Sequence, residues 1–185
     1  MDRILFIDGC VRGDSRTKRL AQALLKKLGG KVEVVKLHEV NFPVSDEAFI
    51  TKRDSLLEKK AFDDPMFDLA RQFASCDVIV VAVPFWDLSF PASFKQYIEQ
   101  INVSGITFMY TEEGVPKGLC KAKKLYYVTT AGGVFFPQEF GFGYVKSLAE
   151  NFYGIGDVEL VKAVGLDIAG ADPDKIVKEA IKALG

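Results

Sequence analysis

The sequence predicts an α/β domain built on one parallel sheet, and three observations predict it. Ile4-Leu5-Phe6-Ile7 and Val78-Ile79-Val80-Val81-Ala82-Val83 are unbroken apolar runs of strand length, as expected of strands covered on both faces. Between such runs, apolar residues recur at helical spacing, first at Thr17, Leu20, Ala21, Leu24, Leu25 and Leu28. The two patterns alternate along the chain, which is the signature of βαβ units.

The elements follow in order. Gly29-Gly30 ends the first helix. Val32 to Leu37 is a second strand whose Glu33 and Lys36 suit a sheet edge. A loop with Pro43 leads to a polar helix over about Asp46 to Lys60, and a second helical piece runs from Pro65 to Ala74. Val78 to Val83, the longest apolar run of strand type, is expected at the centre of the sheet and is stopped by Pro84. Pro91 begins a helix with Phe94, Tyr97, Ile98 and Ile101 on one face. Residues 104–123 form a long connection, of a length that usually serves a function or covers something. Leu125 to Thr129 is the fourth strand. Tyr144, Val145, Leu148, Ala149 and Phe152 mark a helix closed by Gly154. Val158 to Val164 reads as the other edge strand, and Asp172-Pro173 caps a final helix carrying Ile176, Val177, Ala180, Ile181 and Leu184.

Length and composition bound the function. The 185 residues fit one domain, residues 1–185, with one sizeable core. The 24 Lys+Arg and 25 Asp+Glu nearly cancel, which argues against nucleic acid as a partner and against a strongly acidic electron shuttle. No apolar stretch approaches the ~20 residues of a membrane span, and Met1-Asp2-Arg3 leads into no signal peptide. The cysteines, Cys10, Cys76 and Cys120, are odd in number and widely spaced, so neither a disulfide framework nor a metal site is expected, and the cytoplasm is the expected compartment. His38 is the one histidine, which works against His-based triads.

In an open α/β sheet, ligands bind beyond the carboxyl ends of the strands. Three loops there carry chemistry. The first is Gly9-Cys10-Val11-Arg12-Gly13-Asp14-Ser15-Arg16-Thr17. Hydroxyls at a helix N-terminus, with Arg12 and Arg16 adding cations, suit a phosphate monoester. Arg12 lies inside the loop, whereas Arg16 belongs to the first helical turn and can point to solvent. The alternative is that Ser15 is only an N-cap and both arginines are surface residues. G-x-G-x-x-G and Walker A patterns are absent from this loop. The second loop is Pro84-Phe85-Trp86-Asp87-Leu88-Ser89-Phe90-Pro91. Its aromatics offer flat walls to a conjugated ring, or a hydrophobic cover over the core. The third is Thr129-Thr130-Ala131-Gly132-Gly133-Val134-Phe135-Phe136-Pro137, whose paired glycines admit a ligand to backbone N–H groups or simply make a turn.

With these residues in view, the chain resembles the FMN-dependent NAD(P)H:quinone oxidoreductases and azoreductases of flavodoxin-like fold. The resemblance spans essentially the whole chain. It is carried by Val83 to Pro91, by Phe94-Lys95-Gln96-Tyr97-Ile98, by Gly105 to Thr111, by Gly114, Gly118-Leu119 and Lys123-Lys124, and by Thr129 to Gly133. It implies a three-layer sandwich with a five-stranded parallel sheet in the order 2-1-3-4-5. It places Cys10, Arg12, Ser15 and Thr17 at the FMN phosphate, and Pro84, Phe85, Trp86, Asp87 and Leu88 around the isoalloxazine. Thr130, Ala131, Gly132 and Gly133 fall at its pyrimidine edge, and Phe135 beside the substrate. It further implies NADH or NADPH as donor, a small-molecule acceptor and a homodimer; one shared pocket implies ping-pong exchange, and apolar Ile106, Phe108, Met109 and Tyr110 place part of residues 104–123 in the interface. Resembling azoreductases commonly have Asn at the position of Asp87, His at that of Phe135 and Ser at that of Cys10. No side chain is assigned a catalytic role. The rival readings are a non-enzymatic FMN electron carrier and a flavin-free α/β hydrolase with Cys10 as nucleophile.

Overall fold

The computed structural model describes residues 1–184. Five parallel strands form the main sheet: β1 (Arg3–Asp8), β2 (Lys31–Lys36), β3 (Val78–Ala82), β6 (Lys124–Thr130) and β7 (Asp157–Ala163), in the order β2-β1-β3-β6-β7. This is the expected 2-1-3-4-5 order, renumbered because two short strands intervene. β4 (Phe108–Tyr110) and β5 (Pro116–Gly118) pair antiparallel as a separate hairpin within the long connection.

The unbroken apolar runs have a direct cause. Along β1 and β3, Leu5, Ile7, Ile79 and Val81 enter the core on one face of the sheet. Ile4, Phe6, Val80 and Ala82 enter the core on the other. With both faces covered, the middle of these strands takes apolar residues, and burial of each large aliphatic side chain stabilises by about 1.5–3 kcal/mol. The edge strands contrast with this: in β2 only Val35 is buried, while Val34 is half exposed.

Helix α1 (Arg16–Leu28) buries Thr17, Leu20, Ala21 and Leu24, the helical stripe expected from the sequence. It lies on the same face as α6 (Pro173–Lys182), capped by Asp172. The opposite face carries α3 (Asp68–Ser75), α4 (Ala92–Ile101) and α5 (Tyr144–Leu148). Helix α2 (Glu47–Glu58) differs from the rest, because none of its residues is fully buried. Single π-helical turns flank α5 at Glu139–Gly143 and Ala149–Tyr153, and Gly154 ends the second with φ of 74°. The helical spacing of the sequence announces neither π turn. The hairpin packs closely on this region: a Cβ on Gly118 would lie 2.2 Å from Gly154 N. Among the described residues, no helix is long and apolar enough to cross a membrane.

Candidate functional site

The chain leaves β1 toward β2 on one side and returns to β3 on the other, so the strand order reverses between β1 and β3. A cleft of about 360 Å³ opens there, beyond the carboxyl ends of β1, β3 and β6. The three loops singled out from the sequence supply most of its walls.

The first wall is the segment between β1 and α1. Ser15 is the N-cap, and its Oγ accepts the Lys18 N–H at 3.2 Å. The remaining first-turn N–H groups, on Arg16 and Thr17, have no partner within the helix and lie at the cleft. The helix dipole adds positive potential at that end. Beneath the loop, Asp8 is fully buried. Its Oδ1 accepts the Cys10 N–H at 3.0 Å and its Oδ2 lies 2.7 Å from Lys18 Nζ. The hydrogen bond to Asp8 pushes the Lys18 ammonium pKa up. Cys10 is buried, its Sγ approaches Ala82 O at 3.6 Å, and burial pushes its pKa up to about 12. It is therefore a neutral thiol at neutral pH, unlike an activated nucleophile. Thr17 is buried as well, with its Oγ1 2.6 Å from Thr130 Oγ1. Its hydroxyl thus ties α1 to β6 under the cleft, so what Thr17 can offer a ligand is chiefly its N–H.

The arginines differ. Arg16 Nη1 donates to Asp167 Oδ1 at 2.8 Å. Among the described residues, Arg12 forms no ion pair, and it lies exposed on the cleft wall.

The second wall follows β3. Phe85 N–H donates to Thr130 O at 3.0 Å, fixing this loop to the third. Trp86 and Ser89 then exchange backbone bonds of 3.2 and 2.8 Å across a tight turn. Its two central residues, Asp87 and Leu88, have φ of 50° and 67°. Positive φ at both central positions is the type I′ geometry, which favours Asn-Gly. An aspartate tolerates it, whereas a leucine there costs about 1–2 kcal/mol. Ser89 Oγ donates to Phe140 O at 2.6 Å and anchors the turn to the first π turn. Trp86 remains 42% exposed and faces the cleft opening.

The third wall follows β6. The segment after β7 fastens to it through Gly165 N–H to Gly133 O, Leu166 N–H to Ala131 O and Asp167 N–H to Gly132 O, at 2.9, 3.2 and 2.9 Å. A Cβ on Gly132 would stand 2.4 Å from Asp167 Oδ2, so the glycine makes the room that this carboxylate occupies. Phe136 packs on Phe85 with ring centroids 4.6 Å apart, while Phe135 is 73% exposed at the rim.

The cleft thus brings together Cys10, Arg12, Ser15, Thr17, Pro84, Phe85, Trp86, Thr130, Ala131 and Gly132. Asp87, Leu88, Gly133 and Phe135 do not line it but sit on the adjoining turns and rim. Sequence reasoning missed Leu166 and Asp167, which also line it. They come from the loop after the fifth sheet strand, far along the chain from their contacts.

The combination fits a flat, phosphorylated ligand: a helix N-terminus, an uncommitted arginine, an aromatic loop and glycine-bearing backbone converge on one cleft. A larger cleft of about 690 Å³ lies elsewhere, between α2 and residues 40–43 and 64–69. Its lining is mostly apolar, including Phe42, Phe49, Met66 and Leu69.

Comparison with known proteins agrees with this geometry. The family described as flavodoxin-like fold matches residues 2–185. The FMN-dependent NADH:quinone oxidoreductase of Clostridium perfringens is 32% identical over 98% of this chain and 96% of its own length. That of Lachnoclostridium phytofermentans is 35% identical over 100% of this chain and 97% of its own. The crystal structure of an azoreductase from Bacillus anthracis superposes with a TM-score of 0.85 at 25% identity, covering 100% of this chain and 97% of that one. With its sheet order, its rim cleft and these relatives, the chain belongs to the flavodoxin-like family and groups there with the FMN-dependent NADH:quinone oxidoreductases.

Proposed function

We propose that this chain is an FMN-dependent oxidoreductase that takes two electrons from NADH and delivers them to a quinone or azo-type acceptor at the rim cleft. The carrying observation is the cleft at the strand-order switch, lined together by the N-terminus of α1, uncommitted Arg12 and Gly132. Names and sequences of relatives matched over nearly their full length support the cofactor and the reaction class. We read residues 1–185 as one domain around this site.

Bound FMN would supply the redox chemistry by accepting hydride and passing on two electrons. The chain's residues do the rest. Arg12, Ser15 and the first-turn N–H groups of α1 hold the phosphate. Phe85 and Trp86 wall the ring system, and the backbone of Asp87 and Leu88 borders it. Thr130, Ala131, Gly132 and Gly133 bring backbone groups to the pyrimidine edge, where N–H donors stabilise the negative charge that develops on reduction. Exposed Phe135 offers a stacking surface to nicotinamide and then to the acceptor. Sharing the one rim cleft makes donor and acceptor alternate, so the kinetics are ping-pong. The hairpin exposes Met109, Tyr110 and Val115, apolar residues suited to the interface of a homodimer.

Initial rates with NADH and a quinone, each varied against the other, test this reading. Parallel double-reciprocal lines are expected. Intersecting lines would overturn the shared-site exchange. Bound flavin without turnover would make the chain an electron carrier.

A further inference from the structure

The cation nearest the start of α1 is already occupied. Arg16 Nη1 is 2.8 Å from Asp167 Oδ1. The backbone that carries this largely exposed carboxylate is pinned beside the cleft. Asp167 N–H donates to Gly132 O at 2.9 Å, and the room for Asp167 Oδ2 exists because residue 132 has no Cβ. Both residues line the same cleft as Ser15 and Arg12. Lys18, the next cation along α1, is likewise committed, to buried Asp8. Of the cations from Arg12 to Lys18, Arg12 alone is without an anionic partner among the described residues.

We propose that Asp167 is a built-in competitor for the phosphate group, a carboxylate that holds Arg16 in the place of a ligand anion and weakens the hold on FMN. The inference rests on the proposed FMN site. A dianionic phosphate entering the cleft meets the Asp167 charge as a repulsion and finds Arg16 engaged. Neutralising Asp167 removes the repulsion and frees the Arg16 fork for a charge-assisted bond. The pair is partly exposed, so the effect is modest, about fivefold in affinity. Asp167 thereby sets how readily the protein exchanges its cofactor and how strongly it prefers a phosphorylated flavin to one without phosphate.

The test uses the apoprotein of wild type, Asp167→Asn, Asp167→Ala, Arg16→Gln and the Asp167→Asn/Arg16→Gln double variant, titrated with FMN and with riboflavin by flavin fluorescence. Both Asp167 variants are expected to bind FMN about fivefold more tightly and riboflavin as the wild type does. Arg16→Gln is expected to change FMN binding little in the wild-type background and to abolish the gain in the Asp167→Asn background. That coupling separates competition from a merely structural role. Unchanged or weaker FMN binding in the Asp167 variants, or an equal gain for riboflavin, would overturn the proposal. If the wild type binds neither flavin, the FMN reading itself fails, and thermal shift with inorganic phosphate decides the rest. Greater stabilisation of Asp167→Asn than of wild type by phosphate supports the competitor, and equal stabilisation overturns it.

Discussion

Two clefts of the molecule are opposite in character. The one between α2 and residues 40–43 is larger, about 690 Å³, and mostly apolar; the one at the carboxyl rim is about 360 Å³ and lined by charged and hydroxyl side chains. The first lies where α2, none of whose residues is fully buried, stands over residues 40–43 and 64–69. The second exists because strand order reverses between β1 and β3, leaving a gap that loops cannot fill. Size therefore does not mark the site. Convergent donors mark it: the free first-turn N–H groups of α1, Arg12 and the Gly132 backbone all line the smaller cleft, and the strained turn at Asp87 and Leu88 adjoins it.

The contrast can be broken in several places. The largest expected effect comes from Gly132→Val. Its Cβ would meet Asp167 Oδ2 at 2.4 Å and Cγ at 3.1 Å, and its methyl groups would intrude on the cleft. Overpacking of this kind costs about 1–3 kcal/mol of stability, which urea unfolding should register, and the intruding methyl groups should weaken FMN in a fluorescence titration. Unchanged affinity would remove the third loop from the site.

Leu88→Gly comes next. Relief of the left-handed leucine, offset by the chain entropy of glycine, should stabilise the protein by about 0.5–1 kcal/mol in urea unfolding. A loss of stability would show that the Leu88 side chain contributes more through contacts than its backbone costs.

The smallest effect is expected from Asp87→Asn. The carboxylate is exposed and lies outside the cleft lining, so solvent screens it. Removing a negative charge beside the reduced flavin should raise the FMN midpoint potential by under about 20 mV, or about 1 kcal/mol for a two-electron couple. Redox titration of the two proteins checks the sign, and a lowered potential would contradict it.

Much of the fold is legible in the sequence. The central strand at Val78 to Ala82 and the edge strands at Lys31–Lys36 and Asp157–Ala163 follow from continuous versus mixed hydrophobicity. The caps at Ser15 and Asp172 follow from residue type. Other features have no local signal. The three-residue strands Phe108–Tyr110 and Pro116–Gly118 are too short for a period to emerge. The turn at Asp87 and Leu88 lacks the Asn-Gly pair that announces its geometry. Asp167 acquires meaning only beside Arg16, 151 positions away, and Thr17 turns from ligand-facing hydroxyl to internal tie only once Thr130 is seen 2.6 Å from it.

The rim cleft as the FMN site is the claim on which the rest depends, and one comparison tests it most directly. FMN is titrated into the apoproteins of Arg12→Ala, which alters the rim, and of Phe49→Ala, which alters the apolar cleft under α2. Loss of a charge-assisted phosphate contact costs about 1.5–3 kcal/mol, so Arg12→Ala should bind FMN at least tenfold more weakly while Phe49→Ala binds it as the wild type does. Weakened binding in Phe49→Ala with unchanged binding in Arg12→Ala would place the cofactor under α2 and contradict the account.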